Sequence, residues 1–294
     1  MMTKILNKKV KKYIFILFFC TFLSDYSLAE KKYKNFDDWL LSFKALAIKK
    51  GISKNTIEIV FKDVKFLDQV IKYDRKQPEF FEDTITYVTK RANTNRKNKA
   101  KKLLQKNRNL FLQIEKEFGV EKEILLSLWG IETNFGKHVG KMDIVSSLAT
   151  LSYDERRREF FSTQLLILLK LVDKNLIDPN SLYGSWAGAY GNFQFMPSSI
   201  ERYAIDYDKN NKIELKESLE DSLASAANYI SKIGWKKGDP CFYKVATTKN
   251  IDEKYYNFSA RKIKNKLKLS QWKNKGIIFD NKIDLRKNLK AGLI

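Results

Sequence analysis

Glu132 is the residue of this sequence whose surroundings best suit acid–base chemistry. Ile124, Leu128 and Glu132 are spaced i, i+4, i+8, so a helix carries them on one face. The segment Glu123-Ile124-Leu125-Leu126-Ser127-Leu128 is strongly apolar, and Trp129, Ile131 and Phe135 sit beside the carboxylate in sequence. A carboxyl in such company loses water, its charged form is disfavoured, and its pKa is expected to rise. An acid still protonated near neutral pH can serve as general acid toward a sugar leaving group. The same spacing also suits a partly exposed helix-end residue, or one half of a buried ion pair with one of the many lysines.

Three further clusters offer chemistry. Gly184-Ser185-Trp186-Ala187-Gly188-Ala189-Tyr190-Gly191-Asn192-Phe193-Gln194-Phe195-Met196-Pro197 mixes small residues with aromatics, so backbone can pack close beside a flat ligand. Within it Ser185, Tyr190, Asn192 and Gln194 are neutral hydrogen-bonding groups of the kind carbohydrate sites use. Arg156, Arg157 and Arg158 cannot all face one way. One or two are expected in a cleft or in solvent, where the guanidinium fork suits a carboxylate. The third cluster is Asp206-Tyr207-Asp208-Lys209-Asn210-Asn211-Lys212-Ile213. It places side-chain oxygens at positions 1, 3 and 5, a backbone carbonyl (Lys212) at 7 and an apolar residue at 8, as an EF-hand-type calcium loop does. Asn211 stands where that loop has glycine, and asparagine tolerates the left-handed turn better than most residues. The last ligand is Glu217 in a standard loop or Asp221 in an extended one. A merely solvated acidic loop is the alternative. His138 is the sole histidine, so a Ser/His/Asp triad could use no other base and a Cys/His metal site lacks partners. It reads as a loop residue between Gly136 and Gly140.

The elements that must position these groups are mostly helical. Residues 30–115 read as helices throughout, with Phe36, Trp39, Leu40, Phe43 and Leu46 at helical spacing. Gly51-Ile52-Ser53 reads as a helix stop followed by an N-cap for Lys54 to Phe61, and Pro78 as a break. The basic run from Lys90 to Lys106 reads as a solvated helix face. Ile144 to Leu151 and Leu165 to Leu171 read as buried helices, Pro197-Ser198-Ser199 as a helix start, and Leu223 to Ile233, which contains Asn228-Tyr229, as an alanine-rich helix. Residues 236–294 are lysine-rich with weak patterning.

Composition bounds the rest. The 294 residues are 44% hydrophobic, enough for a real core. The net charge of +22 suggests an anionic partner such as nucleic acid, a membrane surface or a wall polymer. No nucleic-acid recognition motif accompanies it, and nucleic-acid binding is not expected. Lys4, Lys8, Lys9, Lys11 and Lys12 precede the apolar run Ile14 to Phe19, and Ser27-Leu28-Ala29 offers small residues for cleavage. This pattern is a secretory signal peptide. A retained anchor would need a run of about 20 apolar residues. Cleavage after Ala29 removes Cys20 and leaves Cys241 alone, so no internal disulfide is expected.

These blocks together resemble the lytic murein transglycosylase B family, glycoside hydrolase family 103. The resemblance covers about residues 35–290. It rests on Leu128 to Gly136, Thr150-Leu151-Ser152-Tyr153-Asp154, Arg156 to Phe161, Gly184 to Ser199 around Gln194-Phe195-Met196-Pro197-Ser198, the acidic loop from Asp206, and Ala226-Ala227-Asn228-Tyr229. It implies a mainly α (α+β) fold: a lysozyme-like core with a helical domain and a small calcium-loop region. The expected division is a signal peptide over 1–29, a helical N-terminal domain over 30–115, a catalytic core over 116–235 with its EF-hand-like loop at 206–217, and a shortened C-terminal region over 236–294. The resemblance implies periplasmic cleavage of the MurNAc–GlcNAc bond of peptidoglycan without water, with Glu132 as acid and then base. It places Ser185, Gln194 and Tyr229 along the glycan cleft and Arg156 and Arg157 near the peptide stem. It implies a structural Ca2+ on Asp206, Asp208, Asn210, the carbonyl of Lys212, and Asp221. Implied partners are glycan strands and wall-remodelling proteins, with no membrane span kept. Family members usually carry roughly forty more residues, within ordinary domain size, including a cleft-lining Asn. The alternative reading is therefore a catalytically impaired peptidoglycan-binding protein.

Overall fold

The computed structural model describes residues 33–76, 84–238, 241–257, 263–279 and 289–294. The signal peptide expected over 1–29 and the break expected at Pro78 lie outside the described residues. The chain falls into two compact units, Met1–Ser42 and Phe43–Ile294. In the first, the Phe36 ring stacks on Trp39 with centroids 5.6 Å apart, and Asn35 Oδ1 accepts from the Asp38 N–H.

Helix α1, Phe36–Lys49, ends in the second unit. Its buried face is Trp39, Leu40, Phe43 and Ala47, whereas Leu46, expected on that face, is 40% exposed. Helix α2 spans Lys54–Val60. Its N-cap is Ser53, as the sequence suggested, with Oγ accepting from the Thr56 N–H. There follow α3 (Asp68–Lys76), α4 (Thr84–Arg91), α5 (Thr94–Lys106), α6 (Arg108–Phe118) and α7 (Lys122–Thr133). No described residue of α5 is buried, as expected of a basic solvated helix. Its edge does more than face water, however. Ala100 and Leu104 wall a hollow of about 420 Å³ against Leu126 and Gly130 of α7 and Phe135 just beyond its end.

The strand β1 (Met142–Asp143) leads directly into α8 (Ile144–Tyr153), every residue of which from Ile144 to Ser152 is buried. Asp143 caps α8, accepting from the Val145 N–H. Helix α9 (Arg158–Asp173) packs along α8, and Phe161, Leu165, Leu168 and Leu169 complete the core between them. Burial of this apolar surface, at about 25 cal/mol per Å², is the main source of cohesion. Strand β2 (Tyr183–Gly184) pairs antiparallel with β1, Met142 opposite Gly184. Helix α10 (Pro197–Tyr203) starts at its proline, and α11 (Leu219–Lys232) is capped by Ser218.

The last part of the chain contains more order than its patterning suggested. Strands β3 (Val245–Thr247), β4 (Leu267–Lys268), β5 (Ile277–Phe279) and β6 (Lys290–Ala291) form two antiparallel pairs, β3 with β5 and β4 with β6, around α12 (Leu269–Asn274). Leu269, Trp272 and Ile277 are buried there. The described fold is mainly α with short antiparallel strands, as expected. Among the described residues no helix is long and apolar enough to cross a membrane.

Candidate active site

The helix that carries Glu132 ends one residue later, and how it ends decides where the carboxylate points. Asn134 (φ 51), Phe135 (φ 60) and Gly136 (φ 76) are three consecutive left-handed residues. Two of them have side chains, for which this conformation costs about 1 kcal/mol or more, so the turn must be held from outside. The Asn134 N–H bonds the Gly130 carbonyl and the Phe135 N–H the Trp129 carbonyl, a tight C-terminal closure. Lys99 Nζ donates to the Asn134 carbonyl at 2.9 Å and lies over the Phe135 ring. Thr133 Oγ1 accepts from the Gly136 N–H and donates to the Asn192 carbonyl at 2.8 Å.

Glu132 opens into a concavity of about 310 Å³, lined by Leu128, Phe193, Gln194, Phe195, Met196, Ser199, Ala226, Tyr229 and Ile230. Among the described residues it is the only carboxylate in that lining. Glu132 is exposed at the mouth of the concavity, but the walls around its carboxyl strip part of its hydration and push its pKa up, and no hydrogen bond or charge opposes the shift among the described residues. The direction agrees with the sequence reading; the walls responsible do not. Trp129 and Phe135 are buried away from this concavity, and Ile131 is 42% exposed on the hollow beside α4 and α5. The apolar walls around Glu132 are Leu128, one turn back, and the aromatic and aliphatic groups of 193–196 and α11.

The other expected site residues divide. Gln194 and Tyr229 line the same concavity as Glu132. Gln194 adopts φ 51, and its Nε2 donates to the carbonyls of Val139 and Gly191. Tyr229 stands edge-on to Phe195 and Tyr203. Ser185 is half-buried outside that lining, its Oγ accepting from the N–H groups of Ala187 and Ala189. Tyr190 is 2% exposed; its hydroxyl bonds Ser181 Oγ, and burial pushes its pKa to about 12. Asn192 is 5% exposed. Its Oδ1 accepts from Trp129 Nε1 at 2.9 Å, and its Nδ2 reaches the carbonyls of Leu215 and Lys216 and Ser222 Oγ. Tyr190 and Asn192 therefore have no face left for a sugar.

Arg156 and Arg157 are drawn to a group that no sequence pattern singles out. Asp74, 2% exposed, accepts from Arg156 Nε at 2.7 Å and from Arg157, while Arg75 bonds both Asp74 and Asp154. Burial alone would raise the Asp74 pKa; the hydrogen bonds from Arg156 and Arg157 outweigh it and hold the carboxyl below its usual range. Arg158 turns back onto the Tyr153 carbonyl. Nothing in sequence spacing connects residue 74 with 156.

The acidic loop closes on itself. Asp206, Asp208 and Asp221 bring carboxylate oxygens within 4.8 Å of one another. Asp206 accepts from the N–H groups of Asn210 and Asn211, Asp208 from that of Asn210, and Asn210 Oδ1 from that of Lys212. Asn211 takes φ 66, the left-handed turn expected at this position. Asp221 is fully buried. Its two oxygens accept from the N–H groups of Tyr207, Asp208 and Glu214, yet burial and then the neighbouring Asp208 raise its pKa. Three converging carboxylates, one of them without solvent, fit a hard divalent cation with oxygen ligands. Glu217, the alternative last ligand, is outside this cluster, with a side chain 53% exposed. His138 lies in the turn after α7 and takes no part.

Residues 35–293 match the family model described as the transglycosylase SLT domain. A stretch of 123 residues is 43% identical to membrane-bound lytic murein transglycosylase B of Escherichia coli, covering 42% of this chain and 34% of that protein. The chain is similar to SltB3 of Pseudomonas aeruginosa in complex with NAG-NAM-pentapeptide (TM-score 0.81, 30% identity, 89% of this chain and 70% of that one). It is also similar to Escherichia coli lytic transglycosylase Slt35 in complex with calcium (TM-score 0.71, 28% identity, 86% and 78%).

Proposed function

The chain belongs to the transglycosylase SLT domain family, with a lysozyme-like fold, and from that premise we propose that it is a lytic transglycosylase of peptidoglycan. It cleaves the β-1,4 bond between MurNAc and GlcNAc and leaves a 1,6-anhydroMurNAc end. The carrying observation is Glu132, a lone carboxyl with a raised pKa in a concavity shared with Gln194 and Tyr229. A hydrolase of the usual kind needs a second carboxylate as nucleophile or as base for water. With one carboxylate the reaction must return its proton to the same group. The Glu132 carboxyl gives its proton to the glycosidic oxygen as the bond to C1 breaks, and the substrate's 2-acetamido group stabilises the cationic centre. The carboxylate then takes the proton of the C6 hydroxyl as that oxygen closes on C1. The acid is regenerated and no water is consumed.

Gln194 and Tyr229 orient the glycan from the concavity wall, and Ser185 from beside it. The guanidinium faces of Arg156 and Arg157 not spent on Asp74 meet the acidic peptide stem. Asp206, Asp208, Asn210, the carbonyl of Lys212, and Asp221 hold Ca2+, whose role is to lock the loop. The signal peptide over 1–29 delivers the protein to the periplasm. The test is digestion of purified sacculi by the wild type and by Glu132→Gln, with muropeptides read by mass spectrometry. Anhydro-muropeptides from the wild type alone are expected; their absence, or equal release by the variant, ends this reading.

A further inference from the structure

Asn192 stands in the block whose side chains suggested sugar binding, yet every polar atom it has is engaged inside the protein. Its partners are the notable point. Trp129, which donates to its Oδ1, lies three residues before Glu132, and Thr133, which donates to its carbonyl, lies one residue after. Gly136, in the left-handed turn, is pressed so close that a Cβ there would fall 2.7 Å from Asn192 Oδ1. On its other side Asn192 is fixed to the segment that closes the acidic loop: its N–H and Nδ2 reach the Leu215 carbonyl, and Nδ2 also the Lys216 carbonyl and Ser222 Oγ. Gly191 permits this approach, because at φ 78 a Cβ there would meet the Leu215 carbonyl oxygen at 2.4 Å. Thus one buried amide grips the Glu132 helix on both sides of Glu132 and ties it to the segment between the acidic loop and α11.

We propose that Asn192 is a positioning residue that fixes the end of the Glu132 helix, through Trp129 and Thr133, against the segment leading from the acidic loop into α11. The proposal rests on Glu132 being the acid and base of the reaction. Misplacement of a reacting group by about 1 Å can cost on the order of 10²-fold in rate, which is the scale such a clamp protects. Among the described residues, the titratable or charged groups that face this end of the helix are Tyr229, in the same lining, Lys99, on the Asn134 carbonyl, and Arg91, Arg96, Lys97, Lys101 and Glu123 around the hollow beside Gly130 and Ile131. None of these is hydrogen-bonded to Asn192.

Two variants separate this role from general support. Asn192→Ala removes the clamp. Trp129→Phe keeps an aromatic side chain, though a smaller one, and deletes one hydrogen bond. Asn192→Ala is expected to lower kcat about 10²-fold and Trp129→Phe about tenfold, with KM changed less than twofold. Both should also move the alkaline limb of the pH–rate profile to lower pH, because a loosened helix end admits water to Glu132. Simple loss of folded protein would scale kcat and leave the profile in place; that result in Trp129→Phe overturns the proposal. A rise in KM with kcat kept would instead make Asn192 a substrate contact and overturn it as well. Should the wild type release no anhydro-muropeptides, the functional reading fails by itself. The clamp is then tested by carbon-13 titration of the Glu132 carboxyl, assigned against Glu132→Gln. A lower titration midpoint in Trp129→Phe supports it, and an unchanged midpoint overturns it.

Discussion

Glu132 and Asp221 are both carboxyls whose pKa is raised by burial, and they are set up for opposite tasks. Asp221 is shut off from solvent, accepts three backbone N–H bonds and faces two further carboxylates. Those three N–H groups favour its charged form, while burial and Asp208 oppose it, the balance a divalent cation would tip. Glu132 opens into a concavity and receives no hydrogen bond from the described residues, so its surroundings favour the proton. Burial pushes both the same way. Hydrogen bonding separates them, and on the proposed function it makes one a ligand and the other an acid.

The largest test of this contrast is chemical. Glu132→Gln should lower turnover by about 10³-fold, within the span of general acid–base effects, while leaving the thermal midpoint at or above that of the wild type, since a partly desolvated acid is replaced by a neutral isostere. A large fall in stability would mean that Glu132 is a structural ion-pair member after all. Next comes the loop. Saturating Ca2+ over a chelator should stabilise the wild type by about 2–3 kcal/mol at a hundredfold excess over Kd, and Asp221→Asn should lose that response in calorimetry. If Glu217→Gln loses it instead, the last ligand is Glu217.

A smaller effect is visible in pH. Because the folded pKa of Glu132 is raised, its favourable contribution is complete below the unfolded carboxyl value of about 4.3 and is lost as pH rises through the folded value. Urea melts of the wild type and Glu132→Gln across that window should therefore diverge in favour of the variant as pH rises. Parallel curves would contradict the raised pKa. Smallest is Asn211→Gly, which should stabilise the loop by roughly 0.5 kcal/mol by relieving a left-handed backbone, with the Asn211 N–H still on Asp206.

Much of this was legible from local pattern. The Glu132 helix, the Ser53 cap, the buried α8 and the left-handed Asn211 follow from spacing and turn chemistry that short stretches carry. The walls of the concavity were less so: periodicity placed Leu128 beside Glu132 correctly, but Trp129, Ile131 and Phe135 belong to other faces, and the left-handed turn that redirects Phe135 has no reliable signature in Asn134-Phe135. Gln194 is legible from the polar character of its block, Tyr229 only through the family resemblance. Tyr190 and Asn192 showed the right polarity, but a polar residue's partners lie tens of residues away, as do Asp74 for Arg156 and Lys99 for Asn134. Long-range pairing of that kind leaves no local trace.

The early stop of α7 has one more consequence. Glu132 is the penultimate residue of its helix, where the aligned peptide dipoles leave about half a unit of negative charge. A carboxylate there is repelled by its own backbone, so the macrodipole adds to burial in holding the proton. Lys99 donates to the Asn134 carbonyl just beyond that pole. A field running along the helix axis thus acts on Glu132 in the same direction as the loss of water around it.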